Sequence, residues 1–301
     1  MNRAPSPLLR TWFRALRPHQ WAKNVLVFVP IVPGRRVGDL EVWWRAGAAF
    51  VALSLVASAL YLLNDFVDLE ADRRHPVKRL RPFASGELPV PAGLVLGLAA
   101  LSSGAAVALM AGVLWQVGVY AAGSAIYSLG VKRFPLVDVF LLAFLYTVRV
   151  FVGGEATGIV VSVWLFGFSV FLFLGLATMK RAGELSLAGA DAGETAVAGR
   201  SYSTADLPFV GAVGVAASFA AAVVLALYVQ SAVAVRDYPE SVWLWGLVPV
   251  VLFWQLRLWL ATSRGYMHSD PVIYALRDRV TWLVALCCLF LTLVAAGRMA
   301  L

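Results

Sequence analysis

Long apolar stretches alternate with short polar segments along the whole chain. A membrane-spanning helix needs roughly 20 apolar residues. Stretches of about that length lie near residues 20–34, 46–63, 90–110, 113–130, 135–153, 160–179, 207–230, 242–262 and 280–298. Residues 89–130 carry no charged side chain and are too long for one span, so Gly112 is the predicted turn between the third and fourth spans. The pattern therefore predicts an all-α, polytopic membrane protein with nine transmembrane helices.

The composition supports a single membrane domain. Hydrophobic residues make up 61% of the chain and charged residues 14%, which excludes a water-soluble globule for most of its length. We expect one transmembrane domain over residues 1–301 and no removable signal peptide, because the N-terminal segment lacks a short apolar core with a cleavage site. The main polar segments, residues 64–89 and 180–206, are predicted to be loops on the cytoplasmic side.

The net charge of +8 indicates a membrane protein and not a nucleic-acid-binding one, because the basic residues lie in short loops between apolar stretches. Eighteen of the 25 Lys and Arg residues fall in the N-terminal segment and in the loops after the second, fourth, sixth and eighth spans. Short cytoplasmic loops of membrane proteins carry such an excess. We therefore expect an integral protein of the plasma (inner) membrane whose N-terminus and active site face the cytoplasm.

The segment NDFVDLEAD, residues 64–72, follows directly on the second apolar stretch. If the second helix continues into this segment, Asp65, Asp68 and Asp72 occupy positions i, i+3 and i+7 and share one stripe. Carboxylates so arranged repel one another, and a Mg²⁺ ion that also binds phosphate oxygens would relieve that repulsion. Asn64 adds a neutral oxygen ligand. The alternative is a solvated helix end balanced by the basic residues that follow it.

Arg149 lies inside a predicted span, where a charged side chain is costly unless it lines a polar cavity or is paired. Asp138 is eleven residues away on the same predicted helix, about three turns, so both side chains are expected on one face that lines a cavity. A structural ion pair is the alternative. Tyr127 and Lys132, at the end of the fourth span, can bond a hydroxyl group or a phosphate, although a tyrosine is ordinary at a membrane interface.

Two further groups of candidates precede predicted spans. Lys23 and Arg17 lie at the entrance of the first span and can hold a phosphate, although positive charge at this position also anchors a membrane protein. Asp278 and Arg279, with Asp270 upstream, precede the last span. We expect them to complete a polar head site or to form a local salt bridge.

The combination NDxxDxxxD with RPxxxG, here RPFASG over residues 81–86, resembles the UbiA superfamily of intramembrane prenyltransferases. This resemblance implies a UbiA-like helical bundle with a cytoplasm-facing polar cavity that is open to lipid. It also implies that Asn64, Asp65, Asp68 and Asp72 hold Mg²⁺ on a diphosphate.

The chain departs from the family in its loop after the sixth span. Members that use a prenyl diphosphate donor typically carry a second aspartate-rich motif there, whereas this chain has KRAGEL, residues 180–185. Two cations and one carboxylate, Lys180, Arg181 and Glu184, can accommodate a second phosphate group. Together with RPHQWAKNVLVF (17–28), YSLGVK (127–132), VRVFVGG (148–154) and ALRDR (275–279), this motif resembles one branch, the decaprenyl-phosphate phosphoribosyltransferases.

The branch implies Mg²⁺-dependent transfer of 5-phosphoribose from 5-phosphoribosyl diphosphate (PRPP) to a polyprenyl (decaprenyl) phosphate, for synthesis of cell-envelope arabinan precursors. Asp65, Asp68 and Asp72 would be catalytic with Lys180 and Arg181. Substrate contacts are expected from Lys23, Asn64, Lys78, Arg79, Arg81, Tyr127, Lys132, Arg149, Glu184, Asp278 and Arg279. The alternatives are a prenyl diphosphate donor with an aromatic acceptor, or a membrane transporter. Assembly into a homo-oligomer stays open.

Overall fold

The described residues form helices that are joined by short turns. The structure is a computed structural model, and it describes residues 7–74, 78–190, 201–267 and 270–297. The α-helices are α1 (Pro7–Ala15), α2 (Leu40–Val67), α3 (Leu69–Arg74), α4 (Val90–Met110), α5 (Leu114–Leu129), α6 (Val137–Thr157), α7 (Val163–Ala190), α8 (Leu207–Gln230), α9 (Ala232–Asp237), α10 (Leu247–Ser263), α11 (Pro271–Arg277) and α12 (Arg279–Ala295). The 3-10 helices are Pro18–Ile31, Lys78–Leu80, Val131–Arg133, Thr204–Asp206 and Ser241–Gly246.

The expected all-α membrane architecture is confirmed, but the count of nine spans is not. In the described part of the chain, 6 helices are long and apolar enough to cross a membrane, and α11 with α12 would be a seventh if this pair, bent by 83°, is one span. Helix α5 has 16 residues, fewer than a full span needs. The turn at Gly112 is present, with a φ of 71°.

The first predicted span is a 3-10 helix, Pro18–Ile31, instead of an α-helix. Proline has no amide hydrogen to donate, and this segment has one proline at its first position and another, Pro30, inside it. Arg17 precedes the segment with a φ of 51°, in the left-handed region, and so turns the chain away from α1. The 3-10 helix carries Lys23 and Asn24 towards the interior, where Asn24 is buried.

Two helices continue past their predicted ends and carry motif residues with them. Helix α2 extends to Val67, so Asn64 and Asp65 are helical, which satisfies the condition for the acidic stripe. Helix α7 extends to Ala190, so the segment predicted as a loop from residue 180 begins as a helix. Within the two predicted loops, residues 75–77 and 191–200 lie outside the described residues.

Helix α6 is the central helix of the fold. In its most apolar stretch 72% of the residues are buried, against 22% in α4 and in the candidate span Ser241–Ser263 that contains α10. One face of α6 joins a hydrophobic core with α7, α8 and α10, and another face joins a second core with the 3-10 helix, α2 and α5. Side chains from both halves of the bundle therefore meet at α6.

Gly153 of α6 allows the first 3-10 helix to approach closely. A Cβ atom at this position would lie 1.9 Å from the carbonyl oxygen of Val27, far inside van der Waals contact. One turn earlier on α6, Arg149 Nε donates a hydrogen bond to Asn24 Oδ1 at 2.9 Å. The missing side chain of Gly153 thus permits a backbone contact that brings Arg149 and Asn24 together.

A buried ion pair joins α6 to α7. The Arg181 guanidinium binds the Asp138 carboxylate, and both side chains are 0% exposed. The Tyr202 hydroxyl donates to Asp138 at 2.8 Å, and Glu184 accepts from Arg181. The expectation that Asp138 lines a cavity together with Arg149 is therefore wrong in this structure, because Asp138 is enclosed by Arg181 and Tyr202.

We expect Gly153→Ala to destabilise the fold by at least about 1–3 kcal/mol, because the new Cβ overlaps backbone atoms that cannot rotate away. The melting temperature of the purified protein in detergent measures this effect. Gly118→Ala in α5 is the control, since a Cβ there meets no atom within 4 Å. Alanine is favoured over glycine in a helix by roughly 0.5–1 kcal/mol, so this control should melt at the wild-type temperature or above. Equal melting temperatures for the two variants would contradict the close approach.

Asp138→Asn should destabilise the fold by about 3–5 kcal/mol, because it removes a partner from a buried arginine. Glu41→Gln is the matched control. Glu41 pairs with Arg45 at the surface, where the two side chains are 68% and 56% exposed, and such pairs contribute no more than about 1 kcal/mol. Chemical unfolding in mixed micelles compares the two losses. If they were similar, the Asp138 pair would not be a buried constraint.

Candidate functional site

The residues Asn64, Asp65, Asp68 and Asp72, here called the acid stripe, lie where α2 ends and α3 begins. Asp68 follows the last residue of α2, yet its amide and that of Asp72 continue the helical pattern, bonding Asn64 O at 2.9 Å and Asp68 O at 2.8 Å. The three aspartates therefore stay close to one helical stripe, as predicted. Asn64 Nδ2 donates to Asp68 Oδ2 at 3.1 Å.

Arginines neutralise the buried part of the acid stripe. Asp65, only 2% exposed, accepts from Arg17 Nη2 at 2.6 and 2.5 Å and from Arg81 Nη1 at 3.0 Å. Asp72, also buried, accepts from the same Arg81 nitrogen at 2.6 Å. A buried carboxylate without a cation is strongly destabilising, and this requirement fixes both arginines beside the stripe.

The oxygen ligands of the acid stripe fit a divalent cation. Asp65 and Asp72 converge on a single cationic atom, Arg81 Nη1, and carboxylates that share one cationic atom can share a metal ion such as Mg²⁺. Among the residues that the structure describes, no three Asp, Glu, His or Cys side chains are already gathered as a metal site. A metal ion would therefore replace carboxylate contacts now made by Arg81 and Arg17.

A positively charged cavity of about 360 Å³ opens beside the acid stripe. Its lining residues are Phe13, Arg14, Arg17, Pro18, His19, Arg81 and Pro82. Partial burial, followed by the charges of Arg17 and Lys23, lowers the pKa of His19, which agrees with a positive potential here. The cavity offers several cationic groups to an anion that approaches the acid stripe.

Lys23 and Lys180 meet at one carboxylate deeper in the bundle. Asp270 Oδ2 lies 2.9 Å from Lys23 Nζ and 3.7 Å from Lys180 Nζ, and it accepts from the Tyr146 hydroxyl at 2.8 Å. Burial alone would raise the pKa of Asp270, but Lys23 and Lys180 hold this pKa well below its usual range. We call these four residues the lysine cluster.

Arg149 occupies a separate buried position next to the lysine cluster. Its guanidinium donates to the Asn24 amide oxygen, to the Leu145 carbonyl and to the Tyr120 hydroxyl. The guanidinium carbon lies 4.6 Å from the centre of the Tyr120 ring and 5.5 Å from that of Tyr146. Hydrogen bonds and aromatic faces thus stabilise an arginine at membrane depth.

Two tyrosines and the first 3-10 helix bring these groups together. The Arg17 guanidinium carbon lies 5.2 Å from the centre of the Tyr61 ring, and the 3-10 helix that follows Arg17 contains Lys23. Tyr146 contacts both Arg149 and Asp270. We call the acid stripe, Arg149 and the lysine cluster, with these tyrosines, the polar region.

Other predicted site residues lie apart from this region or in different surroundings. Arg181 and Glu184 bind each other, and Tyr127 OH is 3.5 Å from Arg181 Nη2. Asp278 forms a two-point ion pair with Arg257, at 2.7 and 3.1 Å, and caps α12. The expected alternative was a local salt bridge of Asp278 and Arg279, whereas the partner of Asp278 is Arg257, 21 residues away. Lys78, Arg79 and Arg279 are exposed, whereas Lys132 is half-buried.

Sequence reasoning missed Asn24, Tyr61, Tyr120 and Tyr146 as members of the polar region. Asn24 lies within RPHQWAKNVLVF, residues 17–28, but nothing in that segment singled it out, and a tyrosine is common at membrane interfaces. Their contacts join residues 29 to 125 positions apart, so no local pattern could have indicated them.

Comparison with known proteins identifies the relatives of this chain. Residues 36–264 match the UbiA prenyltransferase family. The chain is 34% identical to a decaprenyl-phosphate phosphoribosyltransferase of Mycobacterium tuberculosis over 95% of its own length and 94% of that protein. It is 37% identical to the nodulation protein NoeC of Azorhizobium caulinodans, covering 89% and 87% of the two chains. It is 36% identical to the uncharacterized protein y4nM of Sinorhizobium fredii, and the matched part spans 92% of this chain but only 54% of that protein.

Solved structures agree with this assignment at the level of the fold. A UbiA homolog from Archaeoglobus fulgidus bound to GPP and Mg²⁺ has a TM-score of 0.68 at 15% identity and covers 95% of this chain and 99% of its own. A digeranylgeranylglyceryl phosphate synthase has a TM-score of 0.64 at 14% identity, covering 97% and 99%. The sequence match and the shared fold lead to one conclusion: this chain belongs to the UbiA prenyltransferase family and is a transferase.

Proposed function

We propose that this transferase moves 5-phosphoribose from PRPP to the phosphate of a polyprenyl (decaprenyl) phosphate and releases diphosphate. The relatives named decaprenyl-phosphate phosphoribosyltransferase support this reaction. The product would be a lipid-linked phosphoribose, a precursor for cell-envelope arabinan. The site would face the cytoplasm of the plasma (inner) membrane, where soluble PRPP can reach it.

The single observation that carries the proposal is the lysine cluster. Lys180 stands where family members with a prenyl diphosphate donor typically carry a second aspartate-rich motif, and it shares the Asp270 carboxylate with Lys23. Two ammonium groups and one carboxylate leave a net positive charge. A donor with a second phosphate group, such as PRPP, requires such a cationic site in addition to the acid stripe.

The acid stripe would hold the diphosphate end of PRPP. Asn64, Asp65, Asp68 and Asp72 would bind Mg²⁺, which would neutralise charge on the diphosphate as it leaves. Arg81 and Arg17 are partly exposed, with 26% and 19% of their side chains accessible. Because both guanidinium groups line the adjacent cavity, they would also bond phosphate oxygens there. Lys78 and Arg79, which are exposed, and Lys132, which is half-buried, would contribute further positive charge to substrate binding from outside this cavity.

The transfer step needs no strong base. An oxygen of the lipid phosphate is already anionic near neutral pH, and it attacks C1 of the ribose to form a new C–O bond. The bond between C1 and the diphosphate oxygen breaks, and the diphosphate leaves with the electron pair. Direct displacement inverts C1. Catalysis then comes from alignment of the two substrates and from stabilisation of the departing charge.

Arg181 and Glu184 would act on this step from behind the site. Arg181 is enclosed and bound to Asp138, whereas the Glu184 side chain is 30% exposed. Lys180 directly precedes Arg181 on α7, so this fixed pair would keep Lys180 in position. Arg149 would form the polar wall behind the ribose, and Tyr127, whose hydroxyl lies 3.5 Å from Arg181 Nη2, would support the Arg181–Glu184 pair.

A second candidate is the reaction of a prenyl diphosphate donor with an aromatic acceptor. It is favoured by the family description and by the structural neighbour bound to GPP and Mg²⁺. The lysine cluster argues against it, because a prenyl diphosphate has no phosphate group apart from its diphosphate and so offers the cluster no ligand. Membership of a transferase family argues against a transporter.

Membranes that contain the protein should transfer radiolabel from PRPP labelled in the ribose to added polyprenyl phosphate, and the lipid extract should contain the label. The transfer should stop when EDTA removes divalent cations, because the diphosphate would lose its counter-charge. Membranes without the protein are the control. Label that stays in the aqueous phase, with label from geranyl diphosphate entering an aromatic acceptor, would establish the second candidate.

We expect Asp68→Asn to reduce label transfer at least about 100-fold with little change in melting temperature. The Asp68 side chain is half-buried and, within the part of the chain that the structure describes, it accepts a hydrogen bond only from Asn64. An asparagine side chain can therefore take its place without loss of packing. Glu70→Gln is the matched control: it removes one negative charge from an exposed position in the same segment and should leave transfer near the wild-type rate. Near-normal turnover in Asp68→Asn would remove this aspartate from the mechanism.

A further inference from the structure

Lys23 and Lys180 come from distant parts of the sequence but share one carboxylate oxygen. Lys23 belongs to the first 3-10 helix and Lys180 to α7, while Asp270 precedes α11 and Tyr146 lies on α6. Three separate elements thus converge on Asp270, which itself caps a fourth. The Asp270 side chain is only 5% exposed, so these contacts are enclosed by the bundle.

The hydrogen-bonding capacity of Asp270 is taken up on both oxygens. Oδ2 faces the two ammonium groups and the Tyr146 hydroxyl, and Oδ1 accepts from the amide of Val272 at 3.1 Å as the cap of α11. The helix cap and the Tyr146 hydroxyl together restrain the orientation of the carboxylate. Both lysine side chains therefore contact an anion whose position is set by the fold.

Both lysines keep hydrogen-bond donors that the contact with Asp270 does not use. Each ammonium group has three N–H donors, and the lysine side chains are 11% and 22% exposed. Two positive charges face one negative charge. The Arg149 guanidinium carbon lies 5.5 Å from the centre of the Tyr146 ring, so it adds a further positive charge nearby. The cluster can therefore accept another anion.

We propose that Lys23 and Lys180 together bind one phosphate monoester, and that Asp270 is the positioning residue that sets the distance between their ammonium groups. This inference rests on the proposed function and extends it, because it makes the two lysines one binding site for a single phosphate monoester and gives Asp270 a positioning role. Both ammonium groups reach the same carboxylate oxygen, so both can also reach the oxygens of one phosphate, at the usual charge-assisted distance of about 2.7–2.9 Å.

The ligand chemistry is a dianionic phosphate at the end of a chain or ring. PRPP carries such a group at C5, and a polyprenyl phosphate carries one as its head group. The diphosphate of PRPP is a different ligand, which the acid stripe would hold with its metal. The experiment therefore has one arm for each source of the monoester.

The first measurement uses inorganic phosphate alone as the probe, in detergent, with binding followed by the shift in melting temperature. Lys23→Met and Lys180→Met should each weaken phosphate binding about tenfold or more, the effect of losing one charge-assisted hydrogen bond. Asp270→Asn should weaken it as well, because two ammonium groups without their shared anion repel each other and separate. Asp270→Glu should restore part of the binding.

Asp39→Asn is the matched control for Asp270→Asn. Asp39 also caps a helix, α2, and also pairs with a cation, Arg36, but it lies at the opposite end of α2 from the acid stripe. This variant should bind phosphate like the wild type. If Asp270→Asn fails to fold, the two lysine variants still test the site, since both side chains are partly exposed.

The second measurement is KM for each substrate in the label-transfer assay. A rise in KM for PRPP alone in the lysine variants assigns the site to the C5 phosphate, and a rise for the lipid alone assigns it to the acceptor. Either result, with kcat less affected, supports the proposal. An unchanged KM for both substrates would overturn it.

Two outcomes separate this inference from the proposed function. If the wild type binds phosphate through the lysines but transfers no label from PRPP, only the proposed reaction is wrong. If label transfer occurs but Asp270→Asn binds phosphate as well as the wild type or better, the positioning role is wrong, because Asp270 would then be a competitor of the anion.

Discussion

The buried Asp65 carboxylate is the constraint on which the arrangement of the site depends. A carboxylate removed from water is costly by several kcal/mol unless a cation compensates it. The chain meets this requirement with Arg17, which precedes the first 3-10 helix, and Arg81, which follows α3. The contact with Arg17 holds the N-terminal part of the chain against the acid stripe. Arg17 and Arg81 also form part of the wall of the adjacent cavity.

The interior follows the same rule, but its ion pairs differ in access to solvent. The Arg181 side chain is 0% exposed and joins α6 to α7 through Asp138. Arg81 and Lys180 are 26% and 22% exposed. A charge that keeps some contact with solvent can exchange a carboxylate for a phosphate, whereas an enclosed one cannot do so without opening the core. Burial thus separates the pairs that hold the fold from those that can bind substrate.

Part of this chemistry could be predicted from local sequence. Asp65, Asp68 and Asp72 follow a helical spacing. Helix α2 itself contains only Asp65, but the amides of Asp68 and Asp72 continue its hydrogen-bond pattern into α3 and keep the three close to one stripe. Other expectations were incomplete. The spacing of Asp138 and Arg149 suggested a shared cavity face, but Asp138 is bound by Arg181, which is 43 residues away. Helical periodicity predicts which side chains share a face of one helix. It does not predict which charged side chain of a neighbouring helix lies close enough to pair with them.

The sequence by itself determined the membrane-embedded, all-helical class and the position of the acid stripe, because the length of apolar stretches and helical spacing are local properties. Only the tertiary structure decided that the segment predicted as the first span is a 3-10 helix packed against Gly153, and that Lys23 and Lys180 share Asp270. Those contacts depend on how closely two backbones approach and on which buried charges neutralise each other. Both are properties of packed elements that lie far apart along the chain.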